Sequence, residues 1–410
     1  MPWPNYILDP AAGGGHDFTD FISAEAAIQS DWGANQDGST EVTLTCRAGR
    51  DTVTATWVID GFVPEPTATS KFIIPAASGD ENNLVFNQGY IIECSAAWAK
   101  AGVVYHDYVE LHDIQIESSD DYCTGLLVYS FDTNDCLIRN CLLYHSSIVS
   151  QPETYKYLVE YTSRMENCLV LTNSDMQGFY SQNGSEVVDN CLWITTYSGV
   201  TTIGYALNQG GLAQSQVNNT AVCGWGTCFD SGNYLSSANN ASSDTTASTR
   251  GIGTVTGVDF TTPGVDFVDP TANDYNPQPS GALDGAGTSP PLLATDGAGN
   301  TRNDPDDIGA LAIAAGATVS FVGPDIVAQT GTENVLFSFN ENGGGTVASR
   351  FTGATTYQLA PTSDALPLGL TINSTTGNVE GTPSEVVTRN IIIERTDEYG
   401  PELWTDPAEV

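Results

Sequence analysis

The strongest constraint on this chain is a tripeptide that returns along its middle: Asn140-Cys141-Leu142, Asn167-Cys168-Leu169 and Asn190-Cys191-Leu192. Asp113-Ile114-Gln115 before them and Asn219-Thr220-Ala221 after them fit the same template, so the five Asx positions lie 27, 27, 23 and 29 residues apart. A repeat of roughly 25 residues, built from short β-type runs with no helical period, means one solenoid coil per repeat. Stacked coils bring equivalent residues within about 4.8 Å. An Asx at the bend between two strands bonds its own turn and its neighbours above and below. Asp113, Asn140, Asn167, Asn190 and Asn219 are therefore expected to form an internal ladder.

Strand alternation assigns the flanking columns. Leu111, Ile138, Met165, Val188 and Val217 point inward, followed by Ile114, Cys141, Cys168, Cys191 and Thr220 at the corner, then Ile116, Leu143, Val170, Trp193 and Val222. His112, Arg139, Glu166, Asp189 and Asn218 are expected to face solvent, with Arg139 over Glu166 as an exposed ion pair worth about 0.2–1 kcal/mol. One outward set breaks the polar rule: Leu142 and Tyr144, Leu169 and Leu171, Leu192 and Ile194. Six apolar side chains on three coils form a stripe that a monomer rarely leaves in water. Either a long loop or the C-terminal domain covers it, or it is a protein contact face between β-helices of a homo-oligomer.

Coils extend upstream through Glu41–Cys46, Thr52–Ile59, Phe72–Ile74 and Tyr90–Cys94. Before them, 17–28 reads as a short amphipathic helix with Phe18, Phe21, Ile22 and Ile28 on one side, placed to cap the open end of the solenoid. The expected organisation is an all-β chain: a right-handed single-stranded parallel β-helix over 1–312 with its N-terminal cap in 1–35, a linker at 313–318, and a second domain over 319–410.

Composition narrows the function. Against 50 Asp and Glu stand 12 Lys and Arg, a net charge of −38, and such a surface repels phosphate backbones, which excludes direct nucleic-acid binding. The opening Met1-Pro2-Trp3-Pro4-Asn5-Tyr6 has neither a basic nor an apolar signal region, and no apolar run reaches about 18 residues. Folding in a host cytoplasm, with no membrane contact, is the expectation. Nine cysteines (46, 94, 123, 136, 141, 168, 191, 223 and 228) match no disulfide or zinc spacing and read as small buried hydrophobes.

Two resemblances sharpen the fold. The stretch Gly264-Val265-Asp266-Phe267-Val268-Asp269-Pro270, with Asp274-Tyr275, Leu283-Asp284-Gly285, Asp296–Arg302 and Asp307-Ile308-Gly309-Ala310, resembles the closing segment of many pectate-lyase-like β-helix proteins. The opening Gly13-Gly14-Gly15-His16-Asp17-Phe18 looks like the start of β-helix proteins common in bacteriophage genomes. Leu366-Pro367-Leu368-Gly369-Leu370 followed by Gly377 and Gly381-Thr382-Pro383 is similar to the signature of Ig-like modules and implies an Ig-like β-sandwich. It departs from that pattern at Asp397-Glu398-Tyr399-Gly400, where an acidic tail replaces the usual final strand. Fold resemblance of this kind does not carry activity with it.

For glycosidase chemistry, paired carboxylates about 5–10 Å apart are required. Asp120, Asp121, Asp132, Asp135 and Glu160 are candidates, but Ser118, Ser119, Thr133 and Asn134 beside them make turn chemistry the better reading. A lyase needs a cationic base near cation-binding carboxylates, and the middle coils offer Arg139, Lys156 and Arg164 alone. Four histidines (16, 106, 112 and 145) are too scattered for a triad or a metal site. No catalytic, cofactor or metal residue is assigned. Tyr122, Tyr129, Tyr144, Tyr155, Tyr157, Tyr161 and Tyr180 crowd the middle coils and allow host-glycan contact by ring stacking.

The functional expectation is a non-enzymatic virion structural protein of a bacteriophage, a capsid decoration or head-fibre protein, acting as a homo-oligomer, a homotrimer in the first instance, in contact with the capsid shell. The alternative is a tailspike or tail-fibre protein that binds or depolymerises host surface polysaccharide, as a polysaccharide lyase or glycoside hydrolase. Tailspikes usually place a particle-binding domain before the helix, whereas here the helix starts almost at once.

Overall fold

The computed structural model describes residues 5–12, 15–35, 41–54, 56–60, 62–63, 66–95, 102–118, 135–146, 157–160, 163–174, 176–181, 186–197, 203–207, 216–230, 237–249, 251 and 253–313 of a first compact unit, 1–313. In a second unit, 314–410, it describes 321–323, 326–329, 337–339, 356–359, 365–366, 368–374, 379–381, 393–397 and 400–403.

The first unit is a right-handed single-stranded parallel β-helix. One face is an eight-stranded parallel sheet running in order through Tyr6–Leu8, Val42–Cys46, Phe72–Pro75, Val109–His112, Leu137–Arg139, Arg164–Glu166, Val187–Asp189 and Gln216–Asn218. A second face has nine strands, from Gly49–Val53 through Gln115–Ser118, Leu142–His145, Leu169–Thr172 and Leu192–Thr195 to Val255–Thr256. A third, over the middle coils, stacks Tyr157–Glu160, Gln177–Ser181, Ile203–Leu207 and Thr227–Phe229. Register follows the repeat: Ile138 pairs with Leu111 and Met165, and Leu143 with Ile116 and Val170.

Between the first and second strand of each coil the chain turns through one left-handed residue, with φ of 60° at Asp113, 53° at Asn140, 51° at Asn167, 53° at Asn190 and 49° at Asn219. Asx is the residue class that takes this conformation most readily after glycine. The next corner is Asn239, φ 54°, after 20 residues instead of the earlier spacing, so a sequence template passes over it. The three inward columns fill the interior, and the corner cysteines Cys141, Cys168 and Cys191 are fully buried.

The helix at the open end spans Phe21–Asn35 and buries Phe21, Ala24, Ile28 and Trp32. That stripe differs from the expected one: Ile22 is 44% exposed, and Phe18 precedes the helix as a bridge to Leu8. Starting the helix at Phe21 rotates Ile22 off the buried face. Trp32 packs edge-on to Phe62 at 4.9 Å between centroids and Phe21 to Trp57 at 5.2 Å, which seals the terminal coil.

After the last coil the chain turns back, and 258–313 runs as a strap over the outer surface of the second sheet. Val258, Phe267, Tyr275, Leu283, Ile308, Ala310 and Leu311 of the strap, with Leu84 from an earlier loop, form one apolar cluster with Leu142, Leu169, Leu171, Leu192 and Ile194. Close seating is required: a Cβ on Gly297 would come within 2.7 Å of the Asn167 carbonyl oxygen. Ile313, expected at the start of a linker, ends the strap, its amide donating to Asp307 Oδ2 at 2.7 Å. The rest of the expected linker lies outside the described residues.

In the second unit Phe337–Phe339, Val379–Gly381 and Leu370–Ile372 form one antiparallel sheet, while Thr356–Leu359, Ile393–Asp397 and Gly400–Leu403 form another. Strand Gly400–Leu403 pairs with Ile393–Asp397, so the segment after Asp397 does not lose the terminal strand as its sequence suggests.

Candidate functional site

The corner ladder is a continuous polar network that joins the coils to the strap. Asn140 Nδ2 donates to Asp113 Oδ1 at 2.9 Å, and Asn167 Nδ2 to Asn140 Oδ1 at 3.1 Å. Between Asn167 and Asn190 the strap enters. Arg302 donates to Asn167 Oδ1 at 2.8 Å and to Asp306 Oδ1 at 2.9 Å, and Asp306 Oδ2 accepts from Asn190 at 2.7 Å and Asn219 at 3.1 Å. Both side chains of this ion pair are fully buried. Asn219 also bonds Thr288, and Asn239 the carbonyls of Ala286 and Gly287. The ladder meets the strap at the corner, where Asn167, Asn190 and Asn219 are each 2% exposed or less, while the cysteine column packs in the core.

The outward stripe is not an open contact face. Leu142, Leu169, Leu171, Leu192 and Ile194 are each 3% exposed or less, and Tyr144 stacks edge-on against Phe86 at 5.1 Å. The chain covers its own sheet with the strap, whose apolar residues are complementary to the stripe, and this removes the stripe as the surface for a homo-oligomer.

Alternation also misjudged the polar column on the first sheet. Glu166 is fully buried beneath Arg139 and Arg164, whose guanidinium nitrogens each lie 2.5 Å from one of its carboxylate oxygens. Asp189, its neighbour in register, is 8% exposed and accepts from Asn218 at 2.9 Å. Burial, then the Glu166 charge, raises Asp189 above the usual carboxylate range. Further along, Glu110 is held by His112 Nε2 at 3.0 Å and Lys71 Nζ at 2.6 Å. The His112 hydrogen bond leads in pulling its carboxyl down to about 2, against burial. Three of the chain's twelve Lys and Arg residues, with one of its four histidines, are thus spent on two carboxylates of one face, and Glu166 itself is fully buried.

Of the catalytic candidates, Asp120, Asp121 and Asp132 lie outside the described residues, as do Tyr122, Tyr129, Tyr155, Tyr161 and Lys156. Asp135 is exposed at a left-handed turn, φ 59°. Glu160, Tyr157 and Tyr180 sit on third-sheet strands. His106 Nε2 accepts from the Phe62 amide at 2.9 Å, and His145 ends a second-sheet strand, so the structure does not gather the histidines. Among the described residues no three His, Cys, Asp or Glu side chains could hold a metal ion, and no helix is long and apolar enough to cross a membrane. The eight cysteines among the described residues are free and buried.

Two hollows follow the outer edge of the strap. One, of about 560 Å³, lies between Asn83–Phe86 and Ala272–Asn276, and the other, of about 590 Å³, between Thr195–Tyr197, Phe260-Thr261 and Pro270-Thr271. Asn273 lines both. It is left-handed, φ 61°, and caps a one-turn helix, Pro270–Ala272, whose N-cap Asp269 accepts from the Thr271 and Ala272 amides. Sequence reading missed this groove because its walls are turns from three separate coils and the strap, none carrying a repeat.

Fold and surface together define a parallel β-helix that carries an Ig-like module. Residues 319–402 match the family model described as "Putative Ig domain". A solved pectate lyase, Pel9A, is similar at 14% identity over 75% of this chain and 96% of that one, with a TM-score of 0.37. No curated protein matches the chain.

Proposed function

We propose that this chain is a non-enzymatic structural protein of a bacteriophage virion, a capsid decoration or head-fibre protein in which the β-helix is a rigid shaft and the Ig-like unit a second module. The observation that carries the rigid-shaft reading is the strap: it covers the second face from Leu142 to Ala241 and splices the corner ladder with a fully buried ion pair. A solenoid locked over its later coils transmits load there and leaves few states to reorganise around a substrate. Supporting the non-enzymatic reading, Glu166 is fully buried between two arginines and Glu110 is held by Lys71 and His112, so neither is a free carboxylate. The virion placement rests on the resemblance of the opening segment and on the pairing of modules. A trimer would have to use a surface other than the stripe.

The test has two arms. Antibody raised against the recombinant chain should label the outer surface of purified particles of the phage that encodes it, seen by negative-stain microscopy. Incubation with host surface polysaccharide should release neither reducing ends nor unsaturated uronates. Absence from particles overturns the placement, and turnover in the second arm overturns the non-enzymatic reading.

A further inference from the structure

We propose that the groove along the strap binds a neutral glycan chain. Its walls hold polar groups that the protein has only partly used. Thr261 Oγ1 donates its proton to Asp259 at 2.9 Å, and Thr271 Oγ1 to Asp269 at 2.6 Å. Asn276 Nδ2 donates to Asp274 at 2.6 Å and Asn300 Nδ2 to Asp296 at 3.1 Å. Each aspartate consumes one donor: the threonine hydroxyls are left as acceptors alone, and the asparagines keep a carbonyl oxygen and a second N–H. The groove thus presents more acceptors than donors, and its complement is an uncharged ligand rich in hydroxyl groups. The side-chain amides of Asn83 and Asn273 supply the remaining groups. Neither has a hydrogen-bonding partner among the described residues, and an amide pairs as donor and acceptor with vicinal hydroxyls.

Shape and charge select among donor-rich ligands. Two hollows of about 560 and 590 Å³ in series, sharing Asn273, suit an extended chain better than a compact molecule. Phe86 stands in the first, and Tyr197 and Phe260 in the second, partly exposed rings on which the flat apolar faces of sugars stack. Of the twenty residues lining the two hollows only Asp274 carries a charge at neutral pH, in a chain with a net of −38. The aspartates behind the threonines keep the local potential negative, so uronate and phosphate-bearing polymers are repelled and uncharged ones are not. This site is independent of the virion placement, and a shaft that also holds glycan requires no catalysis.

The test uses the full chain and a panel of linear neutral hexasaccharides (β-1,4-glucan, β-1,4-xylan, β-1,4-mannan, α-1,4-glucan and chitin oligomers) with hexagalacturonate as the anionic arm, read by saturation-transfer NMR and calorimetry. At least one neutral oligomer should bind at millimolar concentration or tighter, and hexagalacturonate should not. Asn273→Gly keeps the left-handed backbone and removes the amide. Thr271→Val removes one acceptor at an exposed position. Each should weaken that binding about tenfold with an unchanged melting curve. Failure of every neutral oligomer to bind, preference for hexagalacturonate, or unchanged affinity in both variants overturns the proposal.

Discussion

Replacing Arg302 with Met tests whether the strap is locked or merely laid on the helix. The side chain is fully buried and its guanidinium bonds Asp306 at 2.9 Å, Asn167 at 2.8 Å and the carbonyls of Gly309 and Ala310 at 2.9 and 3.2 Å. Met fills similar volume, so the change isolates charge and hydrogen bonding. Removing one member of a buried ion pair costs about 3–5 kcal/mol because the other charge stays in place. Five orphaned acceptors, the carbonyls of Thr295 and Asp307 included, add to this, though less than additively, and about 5 kcal/mol in all is expected. With a urea slope of about 3 kcal/mol/M, the unfolding midpoint should fall by about 1.7 M. Tryptophan fluorescence reports it, since Trp57, Trp193 and Trp225 are buried in the helix. The double variant with Asp306→Asn, which removes the stranded charge, should recover at least about 1.5 kcal/mol of the loss. A single variant within about 1 kcal/mol of the parent, or a double variant no better than the single, would refute the lock.

Three further outcomes follow from the burial and ion pairs. Leu169→Glu or Leu192→Glu should cost at least about 3 kcal/mol in chemical denaturation, since both leucines lie under the strap. A change of oligomeric mass with intact stability would restore the open-stripe reading. Glu110, held down to about 2 first by His112 and then by Lys71, contributes stability that is fully present above its ordinary 4.5 and is lost as pH falls toward 2. Glu110→Gln should thus lose about 1 kcal/mol at pH 7 after allowance for solvent screening, and the gap should close near pH 2. Thiol reagents should leave the eight described cysteines unmodified in the native protein and reach them in guanidinium, for burial pushes the Cys141, Cys191 and Cys223 thiols well up.

How far the sequence reached depended on whether a residue's environment was set by its own coil. Asn140, Cys141 and Leu143 repeat every coil because the corner, the inner side of the corner and the core recur every coil, so spacing alone reveals them. The fate of Leu142 and Leu169 is set by Ile308 and Leu311, more than a hundred residues away and outside any repeat. Arg302 lies 135 residues from the Asn167 that it bonds. Alternation gives the direction of a side chain but not its exposure, and Glu166 shows the difference: it points outward and is buried by two arginines of its own sheet. The groove was illegible for a related reason. Its chemistry comes from which donors the aspartates have already taken, a property of turn geometry that residue identity does not display.

The strap also imposes an order of events on the newborn chain. Coils can stack as they emerge, yet the apolar columns around Leu142 wait for Leu311, roughly 170 residues later. At a synthesis rate of about 5–20 residues per second that interval is roughly 10–30 s. During it the growing helix carries a greasy, unsheathed flank, together with an unfinished amide row that has no guanidinium to join. A ribosome stalled or a message cut before the codon for Arg302 would release a sticky rod, so the last fifth of the first unit decides whether the coils already made stay soluble.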